Sequence, residues 1–200
     1  MPLLTDNDYD RVMVFIDLRN VNSKAKIGPN FAVEYYRLVL DLVGRRKLMA
    51  AYIFDSTLTI DGKCNTAPFH DRLRYLGFRV ITKELKRIDE KDYSGNIIKT
   101  RYEQKEVDVA MACEMVVHAL KDNYDIAIVV SGDRDFVPAI QQIQAAGKRV
   151  MVASFSDCFS PEIKQYCDTY VQLDDMPFIK MITDKEKMET GLPTDDMEED

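Results

Sequence analysis

Long apolar runs are missing from this 200-residue sequence. None reaches the roughly 18 residues of a membrane-spanning helix. The opening "MPLLTDNDYDRVMVFID" also lacks a basic segment followed by a longer apolar one. Neither a membrane partner nor a secretory signal is expected, and the chain reads as cytoplasmic. Cysteine is scarce: Cys64, Cys113, Cys158 and Cys167 lack the paired short spacings of a structural zinc site. They are also too few for a disulfide scaffold, which suits thiols in a reducing compartment. The two histidines, His70 and His118, are not in a ligand spacing and are expected in ordinary surface or amphipathic helical roles. Positive charge is not in excess either. The net charge is -7, and residues 174–200 alone, with ten acids and three Lys, account for all of it. The remainder is neutral, which excludes a strong nonspecific grip on phosphate but leaves room for local basic patches.

What is present is a chain with 46% hydrophobic and 30% charged residues, long enough for one substantial core. "RVMVFI" is short, β-branched and apolar and reads as a buried strand ending at Asp17. The polar stretch "DLRNVNSKAKIGPN" then precedes a helical pattern from about Phe31 to Val43, with Val33, Tyr36, Leu40 and Val43 as its apolar positions. "LMAAYIFD" is a second strand. Ala67 to Leu76 predicts a helix with Pro68 in its first turn, stopped by Gly77 before the strand "FRVITKEL".

Residues 83–105 carry seven basic and five acidic residues around "YSGNII", the pattern of a hairpin or flap. From Glu106 to Lys121 the spacing predicts a helix with Val109, Ala112, Cys113, Val116 and Leu120 as its stripe. "DIAIVVS" and "KRVMVAS" are further strands separated by a helix from Phe136 to Ala146. "SPEIKQYC" starts a helix with Ser as its cap, and "TYVQLD" supplies a last strand. From about Lys180 the charged end reads as a tail, with residues 178–181 able to dock. Such alternation predicts a three-layer α/β domain with a mostly parallel central sheet. It spans residues 11–176, between a lead-in at 1–10 and an acidic tail at 177–200.

Open α/β sheets bind ligands beyond the carboxyl ends of their strands. Asp17 ends the first strand and Asp133 lies two residues beyond "DIAIVVS", while Asp108 occupies the first turn of the long helix. Carboxylates brought together there repel one another unless protonated or neutralised by a cation. Oxygen ligands suit Mg²⁺ or Mn²⁺, an ion that would support phosphodiester hydrolysis. Each acid also has a plainer role, Asp108 as a charge at a helix start and Asp135 as the cap of the next helix.

Asn20 orients water or substrate, or caps a loop; Ser131 contacts phosphate, or caps the turn. Arg134 stands between Asp133 and Asp135 and either pairs with an acid or contacts substrate. Glu114 is expected in solvent, and Phe136 packs below the site. Lys105, one turn before Asp108, is a candidate phosphate contact, as are Arg19, Lys24 and Lys26 and the basic cluster Arg45, Arg46 and Lys47. Single-stranded RNA could stack on Tyr93 or Tyr102.

In order along the chain, "VFIDLRNV", "KEVDVAMACEMV", "VVSGDRDFVPAIQQIQAAGKRVMVAS" and "SPEIKQYCDTYVQLDD" resemble the NYN-domain family (LabA-like), a fold related to PIN-type nucleases. The resemblance covers about residues 11–174. It implies a PIN-like, Rossmann-like domain and a divalent-metal-dependent ribonuclease centre. Asp17, Asp108 and Asp133 are then its metal-site acids, supported by Asn20, Ser131 and Asp135. RNA is then the expected substrate. This chain departs from the family pattern in having Leu18 and Arg19 between Asp17 and Asn20, and Glu114 where Asp is common. Two other readings stay open: a noncatalytic RNA-binding or regulatory protein, and a protein-interaction module using the 83–105 insertion or the acidic tail. A homodimer through a helical face or an edge strand is a further expectation.

Overall fold

The stretch "RVMVFID" forms β1 (Arg11–Asp17) at the middle of the main sheet. The structure is a computed structural model describing residues 7–24, 31–60, 63–64, 66–103, 106–158, 160–174, 176 and 179–181. In chain order β1 is followed by α1 (Leu18–Lys24), β2 (Phe31–Val33), α2 (Tyr35–Val43), β3 (Lys47–Thr57), β4 (Thr59–Ile60), β5 (Lys63–Cys64), α3 (Ala67–Tyr75) and β6 (Arg79–Glu84). Then come β7 (Lys86–Lys91), β8 (Ile97–Glu103), α4 (Val107–Leu120), β9 (Ile126–Val130), α5 (Val137–Ala145), β10 (Arg149–Ser154), α6 (Pro161–Tyr166), β11 (Thr169–Gln172) and β12 (Ile179–Met181).

Six strands form one sheet in the order β11-β10-β9-β1-β3-β6, and every neighbouring pair is parallel. The chain builds outward from β1 through β3 to β6, returns through α4, and builds outward again from β9. The order therefore reverses between β1 and β9, and a crevice opens beyond their carboxyl ends. Alternation along β1 explains the layers. Val12, Val14 and Ile16 belong to a core shared with α1, α2 and α3. Met13 and Phe15 face the other way into a core shared with α4, α5 and α6, as a two-residue side-chain period requires. The expected three-layer α/β architecture with a mostly parallel sheet is the one observed.

Two local expectations are corrected. The polar stretch after β1 is not a loop at its start but the helix α1, whose signal is faint: among its described side chains Leu18 and Val21, three residues apart, are the buried ones. Phe31 to Val33 does not begin α2: it pairs antiparallel with Ile179 to Met181. Residues 179–181 dock through this pairing, as expected of residues 178–181.

The apolar faces of two helices are also rotated from those expected. In α2 the buried residues are Tyr35, Leu38, Val39, Leu42 and Val43, while Tyr36 and Leu40 point outward. In α4 the buried face is Val107, Met111, Met115 and Ala119. Val109, Cys113 and Leu120 are exposed. Only Asp108, Glu114 and His118 are polar in "VDVAMACEMVVHAL", so hydrophobic spacing alone does not say which face turns inward. The insertion is an antiparallel hairpin of β7 and β8, as its turn signals predict.

Candidate active site

Asp17 is at the carboxyl end of the central strand and only 5% exposed. Its side chain caps α1: Oδ1 accepts the Asn20 backbone N–H at 3.1 Å, the N-cap pattern of a helix start. Oδ2 accepts from Ser131 Oγ at 3.2 Å, across 114 residues of sequence. Burial pushes the Asp17 carboxyl up to about 6, and the negative charges of Asp108 and Asp133 push in the same direction. The hydrogen bonds from Asn20 and Ser131 hold it down. The fold thus brings the fields of three separate acids to one point.

The turn after β9 is fastened to α1 and to itself. Asn20 Oδ1 accepts the Gly132 N–H at 3.1 Å, and Ser131 Oγ accepts the Asp133 N–H at 3.2 Å. Asp133 Oδ1 accepts the Asp135 N–H at 2.9 Å, so Asp133, not Asp135, is the cap of the short 3-10 turn Arg134–Phe136. The capping reading of Asp135 is corrected: the helical segment begins at Arg134, two residues before Phe136. Phe136 is buried in the core below the turn, as expected. Ser131 therefore joins the candidate site and the turn at once.

Asn20→Ala should remove the acceptor for a buried N–H and destabilise the protein by about 1–2 kcal/mol. Urea unfolding of the two proteins checks this, and equal midpoints would refute a fastening role for Asn20.

The remaining predicted residues divide. Asp108 lies partly buried in the first turn of α4, close enough in charge to act on Asp17. Arg19 is partly buried in α1. Arg134 is exposed and 3.8 Å from Glu162. With Asp135, Arg134 lines an open cleft of about 800 Å³ between this turn and α6. Those two residues face the cleft, and the expectation of an acid partner for Arg134 is met by Glu162.

Lys105 and Lys26 lie outside the described residues. Tyr93 stands fully exposed at the turn of the β7–β8 hairpin, and Tyr102 pairs in register with Arg87. Arg45, Arg46 and Lys47 sit at the opposite end of the sheet, where Arg46 donates to the Leu42 and Val43 carbonyls that end α2. A phosphate role for that cluster at this site is excluded by its place.

Both histidines lie on helices, His70 on α3 and His118 on α4, and each turns towards polar partners. His70 is 2% exposed, and its Nε2 is 2.7 Å from Asp55 Oδ2. Asp55 Oδ1 accepts the Ser56 N–H at 2.8 Å. Tyr35, whose hydroxyl donates to Asn22 Oδ1 at 2.6 Å, feels both Asp55 and Asp17, and its own ionisation is pushed well up by burial and then by these acids. A buried polar pair therefore lies behind the site on the neighbouring strand.

His118 is half-buried, with Tyr52 Oη at 2.8 Å, Glu114 Oε2 at 3.3 Å and Asn123 Nδ2 at 2.7 Å. Burial lowers its proton affinity. Glu114 is accordingly partnered to His118 and not simply in solvent. The sequence does hold a signal for Asp55: "IFD" lies in β3 as "FID" ends β1, an acid closing an apolar run.

Among the described residues no group of three or more His, Cys, Asp or Glu already stands in a metal-holding arrangement. None of their helices is long and apolar enough to cross a membrane.

Comparison with known proteins bears on the family and the fold. The chain is 31% identical over 109 residues to the low amplitude and bright protein LabA of Synechococcus elongatus, covering 54% of this chain and 55% of LabA. It is 30% identical over 84 residues to an uncharacterised protein of Methanocaldococcus jannaschii, covering 42% of this chain and 33% of that one. The chain therefore spans about half or less of the curated relatives it matches. A crystal structure of a protein of unknown function from Vibrio parahaemolyticus shares the fold, with a TM-score of 0.63 and 21% identity over 86% of this chain and 98% of that one. The model of the NYN domain matches residues 11–174, a span that contains the whole main sheet and all of the site acids, and the chain belongs to the NYN-domain family, related to the PIN-type nucleases.

Proposed function

We propose that this protein hydrolyses phosphodiester bonds in RNA with the help of Mg²⁺ or Mn²⁺ held by Asp17, Asp108 and Asp133. One observation carries the reading: Asp17 is buried at the sheet edge where two more acids oppose its ionisation. A cation is the direct remedy for such a cluster. The donor chemistry fits a hard divalent ion, since the set is all carboxylate oxygen. Each Asp17 oxygen accepts one hydrogen bond and keeps a second acceptor direction. Among the described residues the acids do not form a ready-made ligand group; Asp17, Asp108 and Asp133 are the residues that would hold the ion. When bound, such an ion polarises a phosphoryl oxygen and makes water more acidic.

The chain's own groups do the rest. Asn20 and Ser131 fix Asp17 against the turn of residues 131–133 and keep its two oxygens in a constant direction. Asp135 completes the acidic rim beside the cleft, and Arg134 and Arg19 are the candidate phosphate contacts.

Labelled single-stranded RNA incubated with Mg²⁺ or Mn²⁺ tests the proposal. Wild-type protein should cleave it and Asp133→Asn should bind but not cleave. RNA binding without cleavage by the wild type would instead support a noncatalytic RNA-binding role. Absence of both would end the RNA reading and leave a protein-interaction module.

A further inference from the structure

The open cleft of about 800 Å³ begins beside the candidate site, because Arg134 and Asp135 of its lining follow Asp133 directly. Glu162, Gln165 and Tyr166 of α6 also line it, and spacings of three and four residues put these three on one face of the helix. Ile163 lies in the core instead. The Tyr166 carbonyl accepts from Gln144 Nε2 of α5 at 2.8 Å, which ties the two helices together at this level. Tyr166 is 42% exposed, and Pro138 adds apolar lining from α5.

We propose that this cleft receives a guanine base of the RNA strand, next to the phosphate held at the acid site; the inference rests on the RNA reading above. The volume suits a nucleoside, since clefts for small ligands hold roughly 300–1,000 Å³. Charge says which part of a nucleotide enters. Two acids, Asp135 and Glu162, stand in the cleft against one arginine, an excess that repels a phosphate and admits an uncharged base. Unpaired RNA bases stack on aromatic rings and are read along their edges. Tyr166 offers the ring, and α6 offers the edge contacts.

Glu162 selects the base. An ionised carboxylate accepts hydrogen bonds and donates none. Guanine presents two adjacent donors, N1–H and the N2 amino group, which the two carboxylate oxygens take in parallel. Uracil presents one N–H between two carbonyl oxygens that a carboxylate repels. Glu162 is available for this contact: it is 3.8 Å from Arg134, with the two side chains 59% and 66% exposed, and surface pairs of this kind hold little.

Nucleosides test the cleft without phosphate, metal or cleavage. Guanosine added to the isotope-labelled full chain should move the amide NMR signals of residues 134–137 and 162–166, and should half-saturate at a concentration roughly tenfold below that of uridine. Glu162→Gln should bring the two nucleosides within about twofold of each other, because an amide also donates. Tyr166→Ala should weaken guanosine roughly tenfold; both variants should keep the wild-type thermal midpoint, since both residues are exposed. In the labelled-RNA assay the cuts should fall beside guanosines. Binding of neither nucleoside, equal binding of both, or a Tyr166→Ala variant that binds like the wild type would overturn the proposal. So would cuts placed without regard to guanosine. RNA left uncut by a protein that binds guanosine in the cleft would instead refute the hydrolysis and leave the guanine site standing.

Discussion

Asp17→Asn should lower metal-dependent RNA cleavage by about 10³-fold, because a bound ion contributes several kcal/mol to the transition state and each 1.36 kcal/mol is a factor of ten. The same change should make the metal-free protein harder to unfold at pH 7. The Asp17 carboxyl stands at about 6 in the folded chain against an ordinary value of 3.8. Folding therefore favours the protonated form. The stability that Asp17 contributes is fully present below pH 3.8 and is lost as pH rises through about 6.

Above that range the folded protein carries a buried charge repelled by two neighbours, and Asn removes it. The rise from 3.8 to about 6 sets a ceiling of ~3 kcal/mol on the cost of that charge. Loss of the charge-assisted bond from Ser131 offsets part of this, which leaves a gain of about 1–2 kcal/mol. Urea unfolding at pH 4 and pH 7 should show the variant ahead only at the higher pH. Acids such as Asp122 and Asp125, held down by Lys148 and Arg11, respond to acid alike in both proteins, so the comparison isolates Asp17. Added Mg²⁺ should stabilise the wild type more than the variant, since only a ligand that prefers the folded state raises its stability. Cleavage at the wild-type rate would sink the catalytic role, and a variant weaker at pH 7 would sink the account of a repelled acid.

The legible parts of this fold and the illegible ones differ for a physical reason. Strands such as "RVMVFI" and "DIAIVV" are buried on both faces, so an unbroken apolar run identifies them whatever surrounds them. Asp17 and Asp133 follow directly, as polar residues just beyond such runs. Helix faces are harder, because α4 and α2 carry apolar residues on both sides and only packing partners choose between them. Without those partners Val109 and Leu120 are as good a core stripe as Met111 and Met115. The β2–β12 pair depends on residues almost 150 positions apart, and no local pattern records such a pairing. The pairing of Asp55 with His70 escapes a reading of the sequence because spacing says little about a strand end meeting a helix. A partner for Asp55 emerges only when α3 lies across β3.

That buried pair should be worth more to stability than any surface ion pair of the molecule. Asp55 and His70 are 5% and 2% exposed and 2.7 Å apart. Removing one partner leaves the other in the core with no equivalent bond, a loss of about 3–5 kcal/mol from a total stability on the order of 5–15 kcal/mol. Asp55→Ala and His70→Ala should each shift urea unfolding by that amount. Losses that couple in this way are not additive, so the double substitution should cost clearly less than their sum.

Asp55→Ala with His70→Leu sharpens the point, since apolar side chains of similar total volume can replace a buried pair at little net cost. Next to Tyr35, which packs edge-on against Phe69 with ring centroids 6.2 Å apart, this apolar double variant should fold near wild-type stability. Single substitutions that cost less than about 1 kcal/mol would show that the pair holds nothing. An apolar double variant that folds as well as the wild type but no longer cleaves RNA would move Asp55 and His70 from the scaffold behind Asp17 into the reaction itself.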